Sequence, residues 1–291
     1  MSDDWSVLKN LPWHFSQNDH PILFHYTTEE CARLIATNQS LWLSEYTVMN
    51  DSSEFFYARD RLMEALLKTP MGADSIVKFA LIHVINNFSQ QVSVVLGSLS
   101  VDSDSLGQWR NYAANGSGCV LGVRASFLCD EAGLNVRKVV YDEKIIDTIL
   151  EVAVDVIFQQ YKEDPEDIET LVEYARHAAA DLFCIKHPCF LDEREVRVSR
   201  MLARDEHGVL FDPGGHASDG ADTLPLAVLD RETKFGTAKY ISLPLGNADG
   251  GNAIVEVGLG PTMSDQAKTS CRLFFEAQGF RVWDSKLPYR C

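Results

Sequence analysis

Apolar spacing along this chain switches between the two-residue period of strands and the 3.6-residue period of helices, and each switch marks an element. PILFHYTT predicts a short buried strand, and Thr27 with Glu30 then forms a capping-box start for a helix through Cys31, Leu34 and Ile35. LWLS predicts the next strand. Asp51 and Glu54 mark another helix start, with Phe55, Leu62, Met63, Leu66 and Leu67 on one apolar stripe. A further helix from about Ala73 to Phe88 places Ile76, Phe79, Ala80, Val84 and Ile85 on its inner face.

The β-branched run QVSVVLGSLS predicts a central strand. A helix carrying Gln108, Trp109, Arg110 and Tyr112 follows, then the strand GCVLGVR and another around VRKVVY. From Glu143 to Lys186 the pattern is helical, split at Asp164-Pro165, where Asp caps and Pro enters the first turn. These residues, 143–187, read as a helical hairpin inserted into the strand series. REVRVSRML resumes the strands, with Val196 and Val198 on one side and Glu195, Arg197 and Ser199 on the other. Residues 203–222, rich in Gly and Asp, predict a mobile surface loop. KYISLPL, AIVEVGLGP, a helix through Ala267, Cys271, Leu273 and Phe274, and FRVWDSKLPYR complete the series. Strands and helices do not alternate regularly, so the expected class is α+β, a single mixed-sheet domain over residues 1–291.

Charge narrows the function classes. The 291 residues carry 26 Lys and Arg against 42 Asp and Glu, a formal net charge of −16. Such a surface repels phosphate backbones and anionic lipid at long range, so neither an extended nucleic-acid coat nor a membrane-surface role is expected. No apolar run approaches the roughly 20 residues that span a bilayer. The opening MSDDWSVLKN lacks a signal-peptide layout, and a cytoplasmic location is the expectation. The seven cysteines are odd in number and mostly in apolar settings, which favours reduced thiols. Cys184, His187 and Cys189 have no second ligand pair of comparable spacing, so no metal site is assigned.

Four short motifs carry candidate chemistry. Phe24-His25-Tyr26-Thr27-Thr28 places a histidine where a strand meets a capped helix, able to offer one ring nitrogen to a ligand. Met49-Asn50-Asp51-Ser52-Ser53-Glu54 is a turn and cap. Ser98-Leu99-Ser100 ends a strand, and Trp109 and Tyr112 then lie at i and i+3 on one helix face, also the ordinary spacing of core packing. In Phe190-Leu191-Asp192-Glu193-Arg194-Glu195-Val196-Arg197, alternation puts Glu193, Glu195 and Arg197 on one face. A carboxylate beside an arginine stays ionised, which suits charge stabilisation better than proton donation.

Together these motifs resemble the bacterial domain of unknown function 2971 family. The resemblance adds Leu41-Trp42 with Ser44, Tyr112-Ala113, Gly118-Cys119, Gly260-Pro261 and Pro288-Tyr289-Arg290, in order along nearly the whole chain. Ser52 stands where the family often has Pro. A second resemblance, to the His-Tyr-Glu class of ADP-ribosyltransferases, implies a reaction and an ADP-ribosyltransferase-like core with the helical hairpin inserted. It implies His25 as the NAD ribose contact and Glu195 as the catalytic carboxylate, with Glu193 as its substitute. The nicotinamide-stacking aromatic is Tyr46 by position, with Trp42 and Tyr26 as alternatives. Ser98 or Ser100, Trp109, Tyr112 and Arg197 complete the expected dinucleotide contacts.

The expectation is therefore an intracellular enzyme with NAD as substrate, a toxin or defence effector modifying a macromolecular acceptor. No G-x-G-x-x-G, P-loop, G-x-S-x-G or H-E-x-x-H motif points elsewhere. Two alternatives remain open. Asp192, Glu193 and Glu195 with His25 are hard donors suited to magnesium or manganese in a phosphodiesterase, though Arg197 disfavours a cation there. A non-catalytic sensor would use the same pocket to recognise a nucleotide or a protein partner.

Overall fold

The computed structural model describes residues 11–46, 53–68, 75–87, 93–217, 220–233, 236–246 and 251–289. In chain order the elements are β1 (Ile22–Thr27), α1 (Glu29–Asn38), β2 (Ser40–Glu45), α2 (Ser53–Lys68), α3 (Ser75–Asn86), β3 (Ser93–Ser100), α4 (Leu106–Tyr112), β4 (Cys119–Arg124) and β5 (Asn135–Lys138). They continue with α5 (Glu143–Glu163), α6 (Ile168–Asp181), β6 (Glu195–Arg204), β7 (Leu210–Phe211), β8 (Val228–Thr233), β9 (Gly236–Pro244), β10 (Ile254–Leu259), α7 (Asp265–Glu276) and β11 (Arg281–Asp284). One sheet takes the strands in the order β11-β10-β4-β1-β3-β2-β9-β8, and β6 joins β3 while carrying β5 and β7. The β10 and β11 pair is parallel among otherwise antiparallel ladders, which makes this a mixed α+β sheet.

The sheet branches at β3. Along one edge β6 pairs with it from Ser93↔Leu202 to Ser100↔Glu195. The other edge is shared: β2 takes the beginning, through Ser44↔Leu96 and Glu45↔Val95, and β1 takes the end, at Phe24↔Ser100. Between these contacts the two strands part around residues 97–99. Gly97 permits the packing beside this fork, since a Cβ there would lie 2.8 Å from Leu43 Cδ2 and 3.3 Å from Val198 Cγ2.

Helix boundaries follow local caps. Thr28, one residue beyond the expected cap, accepts a hydrogen bond from Cys31 N–H to start α1. Asp142 accepts from Lys144 and Ile145 N–H to start α5, whose buried Ile146, Ile149, Leu150, Val154 and Ile157 keep helical spacing. The predicted break at Asp164-Pro165 is present, but the cap of α6 is Asp167, which accepts from Thr170 N–H.

Among the described residues the interior has three clusters, the smallest formed by Phe24, Tyr26, Trp109, Ala113 and Val120; the two larger ones hold the helices. One joins Leu23, Leu121, Val196, Val198 and Ile241 to Ala32 of α1 and Phe275 of α7. The other packs α2, α3, α5 and α6 onto Val94 and Leu96 of β3. Burying a side chain of Leu or Phe size stabilises by about 1.5–3 kcal/mol, so these interiors hold the helices to the fork.

Some expected inner positions face outward. Phe79, Leu67 and Leu273 are exposed, whereas Leu81 of α3 and Phe275 of α7 are buried. The loop predicted over 203–222 includes β7, paired to β6, and the buried Asp212, whose carboxylate lies 2.7 Å from Arg200. The sequence pattern does not predict strand β8. Ile76, Ala80, Phe55 and Glu54 side chains, the Asn50-Asp51 turn and Arg290 lie outside the described residues. Among the described residues, no helix is long and apolar enough to cross a membrane.

Candidate functional site in the fork of the sheet

A cavity of about 990 Å³ occupies the fork, with α1 and β2 on one side and the start of β6 on another. That volume lies at the upper end of the roughly 300–1,000 Å³ found for small-molecule and cofactor sites. His25 lines it from β1, and its Nδ1 lies 3.2 Å from the carbonyl oxygen of Ser98. A carbonyl only accepts, so this contact assigns the proton to Nδ1 and leaves Nε2 an acceptor when the ring is neutral. Burial lowers the His25 pKa below 6.5, opposed by the Ser98 bond, so the neutral form prevails at pH 7.

A buried ionic cluster lines the same cavity. Lys186 Nζ lies 2.6 Å from Glu193 Oε2 and 3.3 Å from Glu195 Oε2. Arg197 donates to the same Glu195 through Nε at 2.8 Å and a second nitrogen at 3.2 Å, and through a third to the Phe183 carbonyl at 2.8 Å. Tyr112 Oη donates to Glu193 Oε1 at 2.8 Å. Desolvation raises the Glu195 pKa, but Arg197, Lys186 and a Ser98 hydrogen bond outweigh it and bring the value from 4.5 to about 2. Two carboxylates and two cations therefore balance, and Glu195 is ionised throughout the neutral range.

The two glutamates meet by a route that strand alternation misses. Glu193 closes a 3₁₀ turn, Pro188–Glu193, and Arg194 then takes the left-handed conformation at φ 44° before β6 begins. The Arg194 N–H donates to Leu191 O, while its guanidinium pairs with Asp102 at 2.7 Å. Glu193 is thus positioned by a turn, and its shared partner Lys186 completes the cluster. A lysine within the apolar run DLFCIKHPCF was the available signal for Lys186, because buried lysines require an anion.

The other expected contacts divide. Ser98, Tyr46, Tyr26 and Tyr112 line the cavity, as do Glu193, Glu195 and Arg197. Tyr26 is buried, and its hydroxyl donates to Asp102 O while accepting from Ser105 N–H. Tyr46 packs edge-on against Phe183 at 4.8 Å. Trp109 and Ser100 lie outside the lining. Trp109 is fully buried, 5.0 Å from the Tyr26 ring, and donates through Nε1 to Asp104. Ser100 Oγ donates to Glu193 O and accepts from Asp102 N–H. These residues hold the walls in place.

Several remaining motifs also support the frame. Gly118 accommodates the Thr27 carbonyl, 2.3 Å from where a Cβ would sit, and accepts a hydrogen bond from Gly260 N–H. Tyr289 Oη donates to Asn115 Oδ1, and Arg110, which does not line the cavity, stacks over the Tyr289 ring. Asp192 is exposed and outside the lining, and Glu193 and Glu195, which the alternative metal-dependent reading would use, face Lys186 and Arg197. Among the described residues no group of three or more His, Cys, Asp or Glu forms a metal-holding cluster. Cavity residues missed by sequence reading include Lys186, Gln108 and Arg231.

Searches of curated proteins and of solved structures found no match. Residues 108–198 match the model of a protein family of unknown function, DUF2971. That segment runs from α4 through the helical hairpin to Glu193, Glu195 and Arg197. The resemblance of this chain to the DUF2971 family is accordingly carried by the stretch that builds the ionic wall of the cavity.

Proposed function

We propose that the fork cavity binds NAD and that the protein is an ADP-ribosyltransferase-like enzyme acting on a macromolecular acceptor. The observation carrying this reading is the convergence of His25, Ser98, Tyr46 and Glu195 on one cavity. The unprotonated Nε2 of neutral His25 is suited to accept from a ribose hydroxyl. When the bond between nicotinamide and ribose breaks, its electron pair leaves with nicotinamide and positive charge grows on the sugar. An ionised Glu195 stabilises that charge, and the acceptor nucleophile then bonds to the sugar carbon and releases its proton to water. Arg197 and Lys186 hold Glu195 anionic while also offsetting its field, so ligand contacts must draw these cations partly aside for full effect.

The same offset favours a second reading, a nucleotide-binding module without turnover, because both Glu195 oxygens already have cationic partners. Incubation with adenylate-labelled NAD separates the two. The enzyme reading expects nicotinamide release and label transfer, with Glu195→Gln lowering kcat by about 10²–10³-fold while NAD binding persists. Binding without release would select the sensor. Absence of binding, together with equal behaviour of wild type and variant, would defeat both.

A further inference from the structure

On the sheet beside the fork, β2, β9 and β8 bring a cation and an aromatic platform to one face. Ser44 opposes Tyr240, Trp42 opposes Ser242, Leu229 opposes Tyr240 and Arg231 opposes Ala238. Directly opposed residues share a face, so Trp42, Tyr240 and Arg231 lie on the same side. Trp42 and Arg231 both line the cavity.

Their surroundings differ from those of the ionic cluster. Trp42 packs on Tyr240 with ring centroids 4.3 Å apart, yet remains 48% exposed. One flank of the indole is therefore supported and substantial surface is left for a ligand. Arg231 is half-buried and lines the cavity, and among the described residues no carboxylate pairs with its guanidinium. Lys186 and Arg197, by contrast, are already matched to carboxylates. The planar donor fork of arginine matches phosphate oxygens. Aromatic side chains stack on any nucleobase because every base has a π-face.

We infer that Arg231 and Trp42 form the subsite for the phosphate and base of a nucleotide, with Arg231 engaging phosphate oxygens and Trp42 stacking the base. This deepens the NAD reading and rests on it: it assigns the adenosine diphosphate half to the β2, β9 and β8 face and leaves the nicotinamide ribose for His25 and Glu195. The net charge of −16 repels anionic ligands at long range, so a local cation with no carboxylate partner among the described residues answers a physical need.

Calorimetric titration of the full chain with NAD, ADP, adenosine and inorganic pyrophosphate tests the assignment, using wild type, Arg231→Gln, Arg231→Lys, Trp42→Ala and His25→Ala. Arg231→Gln should weaken NAD, ADP and pyrophosphate by at least about tenfold while sparing adenosine, with partial recovery in Arg231→Lys. Trp42→Ala should weaken ADP and adenosine alike by about tenfold through loss of the base stack, and should spare pyrophosphate. ADP binding with this pattern but no effect of His25→Ala on NAD would keep the subsite and overturn the catalytic reading. NAD binding that depends on His25 but is unchanged in Arg231→Gln and Trp42→Ala would overturn the subsite alone. Failure of wild type to bind any probe would overturn both.

Discussion

At the scale of single residues, Lys186 is the side chain on which the site most depends. Its ammonium is shared by two buried carboxylates, so removing it leaves Glu193 and part of Glu195 without compensation. Lys186→Met should destabilise the fold by about 3–5 kcal/mol at pH 7, the usual cost of breaking a buried pair from one side. Urea unfolding checks this. A deficit below about 1 kcal/mol would mean the carboxylates find water or other donors, as exposed pairs do. Acid sensitivity follows from the same cluster. Because the folded pKa of Glu195 is lowered from 4.5 to about 2, its stabilising contribution is full above 4.5 and is lost as pH falls toward 2. Glu195→Gln should flatten urea stability over that window. His25 acts higher: its lowered pKa means the unfolded chain binds a proton first as pH drops below 6.5. His25→Gln should flatten the stability slope just below pH 6.5, and an unchanged slope would contradict burial of the neutral ring.

At the scale of elements, the fork is the feature that creates the cavity, and Gly97 stands at its base. Gly97→Ala should cost about 1–3 kcal/mol through overpacking against Leu43 and Val198, read as a lowered unfolding midpoint. A wild-type midpoint would show that β2 moves aside freely. The fork itself was not legible in the sequence, because β1, β2 and β3 each read as ordinary strands and pairing partners leave no periodic trace. What was legible were features with local causes: the strand at His25, the hairpin broken at Asp164-Pro165, and the alternation of Val196 and Val198. Glu193 was legible as a site residue, but the turn that positions it was not, because the pattern runs on as if alternation continued through Arg194, whose left-handed backbone is usually signalled by Gly or Asn. Phe79 escaped because a helix as apolar as α3 gives weak information about its inward face. Arg231 sits on β8, where exposed and half-buried positions are mixed without the strong apolar face that identifies a strand.

At the scale of the whole molecule, the site joins segments distant in sequence: β1, α4, the end of the helical hairpin, β6 and β8 all reach one cavity. The helical layer of α2, α3, α5 and α6 packs on the β3 face that carries Leu96, so it belongs to the interior beside the site. The acidity of the chain constrains ligands at long range, while Lys186, Arg197 and Arg231 set a different local field in the cavity. The central claim is that this cavity recognises NAD through His25. Equilibrium titration of NAD against wild type and His25→Ala, with folding verified by circular dichroism, tests it most directly. Saturable one-to-one binding by wild type, weakened at least about tenfold in the folded variant by loss of a ligand hydrogen bond, is the expected result. No saturable binding of NAD by wild type, or equal affinity in the two proteins, would contradict it.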